Sequence, residues 1–321
     1  MHTCGRMRSR EPSFTRLGLR MSALLLAGVL LSGCANIKAK IKQAAVDELA
    51  NSFSTNSTVF SGDNSPYLIR EATPFGLKLM ETLLDQSPNN PSLLLATAQN
   101  FTLYGYGFVK QDADEAEDDN MDKATELRGE ARKLLIRGRD YALRGLENRH
   151  QGFAKHLRAS PKQAVAKTTK QDVPDLYWAG SSWAAAISLA KDDPGFIGDL
   201  PIVEALMERA LALDERYDHG AIHGFFISYE MNRLADAKDN AKRARKHFDR
   251  AIQLSGGQNA GYYLSLAESV AVPLEDKAEF ESLLRKALAI NPDAKPEWRL
   301  ANLVYQRRAK WLLGRKDRLF L

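Results

Sequence analysis

Apolar positions recur at helical spacing through almost the whole chain after residue 37. Val203, Leu206, Met207, Ala210 and Leu211 fall at i, i+3, i+4, i+7 and i+8, and Phe280, Leu283, Leu284, Ala287 and Leu288 repeat the pattern. Each series draws one apolar stripe on a helix whose other face is polar. No segment alternates with period two between turn residues, so a sheet is not expected and the fold class is all-α. Ser87-Pro-Asn-Asn-Pro91, Asp172-Val-Pro174, Asp192-Asp-Pro-Gly195, Gly256-Gly257 and Asn291-Pro292 interrupt the stripes with residues that end helices.

Aligned helix ends reveal a weak repeat. Met80-Glu-Thr-Leu-Leu-Asp-Gln-Ser-Pro88, Met207-Glu-Arg-Ala-Leu-Ala-Leu-Asp-Glu215, Phe248-Asp-Arg-Ala-Ile-Gln-Leu-Ser-Gly256 and Leu284-Arg-Lys-Ala-Leu-Ala-Ile-Asn-Pro292 each resemble the closing helix of a tetratricopeptide unit. Helix pairs that bury their stripes only against neighbours build an α-solenoid with a concave surface. The expected architecture is therefore a solenoid of irregular tetratricopeptide-like pairs.

Residues 1–33 differ from the rest. They hold Arg6, Arg8, Arg10, Arg16 and Arg20, then an apolar run from Met21 to Leu31, which is the layout of a secretory signal. The run ends in Leu31-Ser-Gly-Cys34, which looks like a bacterial lipobox: small residues flank the cleavage point and the Cys34 thiol accepts the lipid. The expected organisation is a removed signal peptide at 1–33, a lipidated tether at 34–60 and one helical-repeat domain at 61–321. Cys4 leaves with the signal and Cys34 is acylated, so no disulfide is expected.

The formal charge of +5 belongs to the leader, because the remaining chain has 40 basic and 39 acidic residues. That balance removes nucleic acid as an expected partner. His219 and His223 stand four apart, yet no Glu of a His-Glu-x-x-His motif accompanies them, so no metal is expected. Phosphate-loop, dinucleotide and nucleophile-elbow motifs are missing as well; neither a cofactor nor an enzyme activity is expected. The acidic run from Asp112 to Asp122 reads as the solvated start of a helix. The segment Arg149 to Lys170 and the basic C-terminus, with Arg307, Arg308, Lys310, Arg315, Lys316 and Arg318, match no motif.

Two aromatic stretches lie among small residues. Phe101, Tyr104 and Phe108 share a helical face with Gly105 and Gly107 between them, a place where something approaches the backbone closely. Tyr177, Trp178 and Trp183 stand among Ala179, Gly180 and Ala184 to Ala186. A packed core explains such a pattern, and the alternative is an apolar pocket.

Thr73-Pro-Phe-Gly-Leu-Lys-Leu-Met-Glu81, Leu93-Leu-Leu-Ala-Thr-Ala98, Asp172-Val-Pro-Asp-Leu-Tyr-Trp178, Leu206-Met-Glu-Arg-Ala-Leu-Ala-Leu-Asp214 and Gly220-Ala-Ile-His-Gly-Phe-Phe-Ile-Ser-Tyr-Glu230 resemble, in this order, the TatT family of tetratricopeptide lipoproteins associated with TRAP transporters. The resemblance runs from about residue 37 to 313. It implies a periplasmic homotrimer that works with the solute-receptor subunit and a small, partly apolar solute; Ala35, where an aspartate would resemble an inner-membrane retention signal, makes the outer membrane the expected place of the lipid anchor. Tyr104, Phe108, Tyr177, Trp178, Trp183, His223, Phe226 and Tyr229 are the expected solute or partner surface. The alternative is a scaffold lipoprotein of envelope assembly that grips protein partners in its groove; Asn and Lys lining the groove would mark it, as an enclosed aromatic pocket would mark solute binding.

Overall fold

Helix starts are written in the cap residues. Ser65 accepts the N–H of Leu68 at the start of α1 (Pro66–Gln86), Asn90 that of Leu93 at α2 (Pro91–Tyr104), and Asn120 that of Lys123 at α3 (Met121–Arg149). Pro66 and Pro91 occupy the first turn, where their missing N–H costs nothing. The computed structural model describes Met1 and residues 44–50, 58–190, 193–233 and 236–320. Residues 2–33 of the leader and Cys34 lie outside the described residues.

The chain divides between Val46 and Asp47 into two units, and everything below concerns residues 47–321. Among the described residues this unit is all-α. After α3 come the short helices α4 (Phe153–Ala159) and α5 (Pro161–Ala166), then α6 (Val173–Ser188), α7 (Leu200–Leu213), α8 (Ala221–Tyr229), α9 (Ala237–Ser255), α10 (Ala260–Leu266), α11 (Lys277–Ala289) and α12 (Arg299–Gly314). Helices mostly pack on their chain neighbours: α3 on α2, α7 on α6, α9 on α8, and α11 between α10 and α12, with α6 returning onto α3. The stripes explain this order, since Val203, Leu206, Met207 and Ala210 of α7, and Phe280, Leu283, Leu284 and Ala287 of α11, are among the buried positions of their helices.

Two cores follow one another along the array. Leu146, Leu176, Trp183, Leu206 and Phe226 belong to the first, and Leu266, Val270, Phe280, Leu284 and Leu312 to the second. Helix α8 serves both, giving Ile222 and Phe226 to one and Ile227 to the other.

The array does not stay open. Helix α12 turns back to the beginning, where Arg299 Nη1 donates to the Gly62 carbonyl at 2.7 Å. Its basic face meets the acidic run. Arg307 bonds Asp112 at 2.9 Å and Glu115 at 2.5 Å, and Arg315 bonds Asp118 at 2.7 Å. Asp112, Asp114 and Glu115 are therefore not at a solvated helix start: Gln111–Ala116 continues the α2 segment through a π-helical turn at Gly105–Lys110, and its carboxylates face α12, whereas Asp119 and Asp122 are exposed at the start of α3. A second π-turn, Ala267–Ala271 after α10, offers Glu268 to the same helix. Gly105 also finds its neighbour here, since a Cβ would lie 3.1 Å from that of Leu134 and 3.3 Å from the Ala131 carbonyl oxygen; the approaching backbone is α3.

The Arg149 segment acquires a role in the same way. The Arg149 guanidinium bridges Asp172, at 2.6 Å, and Asp175, while His150 Nε2 lies 3.0 Å from Asp172. This ties the end of α3 to the start of α6. Burial raises the Asp175 carboxyl to about 6, with Arg149 opposing.

Candidate functional site

Closure by α12 brings together rings from distant parts of the sequence. Tyr177 and Trp178 leave α6 side by side, their rings 5.1 Å apart and edge to face. Tyr217, in the turn before α8, stands 5.3 Å from Tyr177. Tyr262 comes from α10 and Tyr305 from α12. Two close approaches fix these last rings: a Cβ on Gly224 would lie 2.5 Å from Cε1 of Tyr262, and one on Gly261 would lie 2.7 Å from Cε2 of Tyr305. Any larger residue at 224 or 261 would displace a ring.

Asp218 is the acid among them. Its backbone is left-handed (φ 41°), as is that of His219 (φ 53°), and Gly220 follows at φ 94°. Three such residues in succession cannot continue a helix. The spacing of His219 and His223 therefore does not place them on one helical face: α8 begins only at Ala221. Tyr262 holds the turn from outside, its hydroxyl donating to the His219 carbonyl at 3.3 Å. The His219 ring packs edge-on against Trp298 at 4.9 Å, and Trp298 in turn carries the Lys295 ammonium 4.0 Å from its ring centre.

The electrostatics of the cluster are uniform in sign. Burial raises the Asp218 carboxyl, only partly offset by His219, although the side chain remains accessible to water. Burial and then the Asp218 charge raise the hydroxyls of Tyr177, Tyr217 and Tyr262. Tyr305 is pushed up to about 12 by burial, with Tyr106 and Asp218 contributing. The four phenols are thus neutral donors at any physiological pH. The buried indole N–H of Trp178 makes no hydrogen bond of normal geometry, and its interaction with the Tyr217 hydroxyl opposes, without reversing, the rise of that group's pKa.

What these residues can do is bind. Neutral phenols from α6, α10, α12 and the turn before α8, with one carboxylate, supply the chemistry that lines sites for molecules with apolar faces and a polar group. Among the described residues no group of three or more His, Cys, Asp or Glu side chains is arranged to hold a metal ion.

Residues 62–320 match the family model described as TRAP transporter T-component. The chain belongs to that family. A protein of Treponema pallidum (strain Nichols), described only as uncharacterized, is 27% identical over 267 residues, which are 82% of this chain and 83% of the relative. T-component membership makes the protein part of a TRAP transporter system of the cell envelope, in a family that is not an enzyme class. Among the described residues no helix is long and apolar enough to cross a membrane.

The eight aromatic and histidine positions singled out in the sequence separate into four places. Tyr177 and Trp178 stand at the centre just described. Trp183 lies in the first core, its Nε1 donating to Asp199 at 3.2 Å beneath the Arg139 guanidinium. Tyr104 and Phe108 pair at 6.0 Å around the first π-turn. His223, Phe226 and Tyr229 gather with His247 between α8 and α9, where the two imidazole Nδ1 atoms are 2.9 Å apart and Phe226 stacks on His247. Tyr217, Asp218, Tyr262 and Tyr305 carried no pattern that singled them out. The one local signal was Tyr217-Asp-His-Gly220, a turn sequence inside an otherwise helical stretch.

Proposed function

We propose that this T-component is a lipid-anchored periplasmic accessory protein of TRAP-type solute uptake. It holds a partly apolar solute at the centre formed by Tyr177, Trp178, Tyr217, Asp218, Tyr262 and Tyr305, and works beside the solute-receptor subunit. Cys34 carries the lipid at the outer membrane, residues 34–60 are the tether, and the helical body of tetratricopeptide-like pairs assembles as a homotrimer.

The observation that carries the reading is the arrangement around Asp218. Four tyrosines from four separate elements gather around the Tyr217-Asp-His-Gly220 turn, with Tyr217 5.3 Å from Tyr177 and Tyr262 donating to the His219 carbonyl, and the helix that completes the group is also the one that closes the array. Core packing alone requires neither a left-handed acid nor a water-accessible one. The scaffold alternative calls for a groove lined with Asn and Lys side chains, and aromatic rings at the centre favour solute over peptide.

The test is transport. In cells lacking the protein, uptake of the transporter's solute is measured after complementation with wild type or with Tyr177→Ala plus Tyr305→Ala, and membrane levels of each are checked. The proposal expects the double variant to behave like the deletion. Full uptake by a normally abundant double variant would refute it.

A further inference from the structure

Helix α1 carries two apolar stripes. Ile69, Leu77, Met80 and Leu84 are buried, as the core-facing side of a helix should be. Leu68, Ala72, Phe75 and Leu79 follow one another at i, i+4, i+7 and i+11 on a different side of the same helix, and this second stripe is largely uncovered. Leu68 is 56% and Phe75 76% exposed, and Tyr67 beside them is 73% exposed. A helix that only packed on its neighbours would carry polar residues there.

The chain that leads to this helix says what covers the stripe. Between Cys34 and Asp47 it holds Lys38, Lys40 and Lys42, with Ile37 and Ile41 among them and no acid. Basic residues next to a lipid anchor are drawn to anionic headgroups. The same segment is short. Asp47 is fixed to the body, its Oδ1 accepting Asn90 Nδ2 at 2.7 Å, four residues beyond the end of α1. Thirteen residues separate it from Cys34, so the lipid can lie no farther from Asp47 than about 45 Å. The 21 residues of α1 span about 30 Å, within that reach.

We infer that the outer stripe of α1 rests on the bilayer that holds the lipid, with Tyr67, Leu68 and Phe75 set among the headgroups of anionic phospholipid. This rests on the proposed reading that Cys34 is acylated, and it adds an orientation, because a docked α1 turns the rest of the array away from the membrane. Aromatic rings with apolar neighbours are the side chains that settle at the membrane–water boundary. A second copy of the chain fits the stripe less well. Three mostly exposed side chains offer on the order of 400 Å², half of the roughly 800 Å² that each partner brings to a stable protein interface. The contact orients the body without holding it, so Cys34→Ser still releases the protein.

Quenching of a fluorescent label tests the inference. Lipidated protein bearing Phe75→Cys, or Lys286→Cys on the exposed face of α11 as control, is labelled with nitrobenzoxadiazole and placed in vesicles of phosphatidylethanolamine and phosphatidylglycerol. Both positions are exposed, so neither change disturbs the fold. Iodide in the water should quench the label at 75 at least threefold less efficiently than that at 286, and spin-labelled lipid should quench only the label at 75. Equal quenching of the two positions by both agents would overturn the docking. A label at 75 that is shielded from iodide yet untouched by spin-labelled lipid would overturn it as well, since protein then covers the stripe. Mass spectrometry of unlabelled wild type reads the acyl chains on Cys34, so failure of the anchor and failure of the docked face are told apart.

Discussion

Arg308 bonds Asp114 at 2.8 Å across 194 residues of sequence. The same guanidinium also reaches Gln111 Oε1 at 2.6 Å and both carboxylate oxygens of Glu268, at 2.9 and 2.5 Å. One side chain thus joins the last long helix to the segment that follows the first π-turn and to the second π-turn itself. Burial by itself would raise the Asp114 carboxyl, but Lys110 and Arg308 outweigh it and hold it below its ordinary range.

Breaking this clasp should open the array. Arg308→Ala leaves Asp114 and Glu268 largely enclosed without that partner, a defect worth about 3 kcal/mol. Chemical denaturation should report that loss, and amide hydrogen exchange should speed up in α12 and in residues 105–116 before the first core. Uniform exchange throughout would show that the clasp does not hold the ends together. Asp114 also sets an acid limit. Its folded pKa is depressed, so its contribution is complete above the ordinary carboxylate range and is lost as pH falls through the folded value.

Gly224 and Gly261 should tolerate no side chain. Gly261→Ala drives a methyl into the Tyr305 ring and Gly224→Ala into that of Tyr262. Overpacking of this kind costs about 1 to 3 kcal/mol. The expected result is a lowered melting temperature together with weakened solute binding. Full stability in both variants would mean that the rings are free to move.

The His223 and His247 pair gives stability a second dependence on pH. Burial and then the neighbouring imidazole depress His247 to about 4, and burial depresses His223. The unfolded chain binds protons near pH 6.5 that the folded pair refuses. Stability is therefore complete above 6.5 and declines toward pH 4, by on the order of 2 kcal/mol. Melting temperatures of wild type and His247→Leu measured across that window should diverge, the variant giving the flatter curve. Parallel curves would exclude the pair as the source.

Attachment depends on Cys34 in the proposed account. Cys34→Ser should move the protein from the membrane fraction to the soluble periplasm, since stable anchoring needs more than one acyl chain. A variant that stays with the membrane would require another anchor.

The helical stripes were legible because each helix buries its apolar face against the next, and that relation lies within a few residues of sequence. Caps and breaks were legible for the same reason. The centre was legible only at Tyr177 and Trp178, where large rings stand beside small residues. Tyr262, beside Tyr263, and Tyr305 are rings in ordinary helices, and only closure by α12 gives them a common address. That closure had a signal in two runs that matched no motif: the acids from Asp112 to Asp118 and the bases from Arg307 to Arg318 are complementary in sign, and the fold makes them partners. His223 carried a local spacing to His219 that the left-handed turn cancels, and its real neighbour, His247, comes from the next helix.

The most direct measurement of the central claim requires no knowledge of the solute. Full-length protein isolated from its own cells is examined by native mass spectrometry beside the Tyr177→Ala plus Tyr305→Ala variant prepared identically. The account predicts a small-molecule adduct on wild type that the folded variant lacks. The same adduct on both, at the same occupancy, would contradict a solute site at this centre.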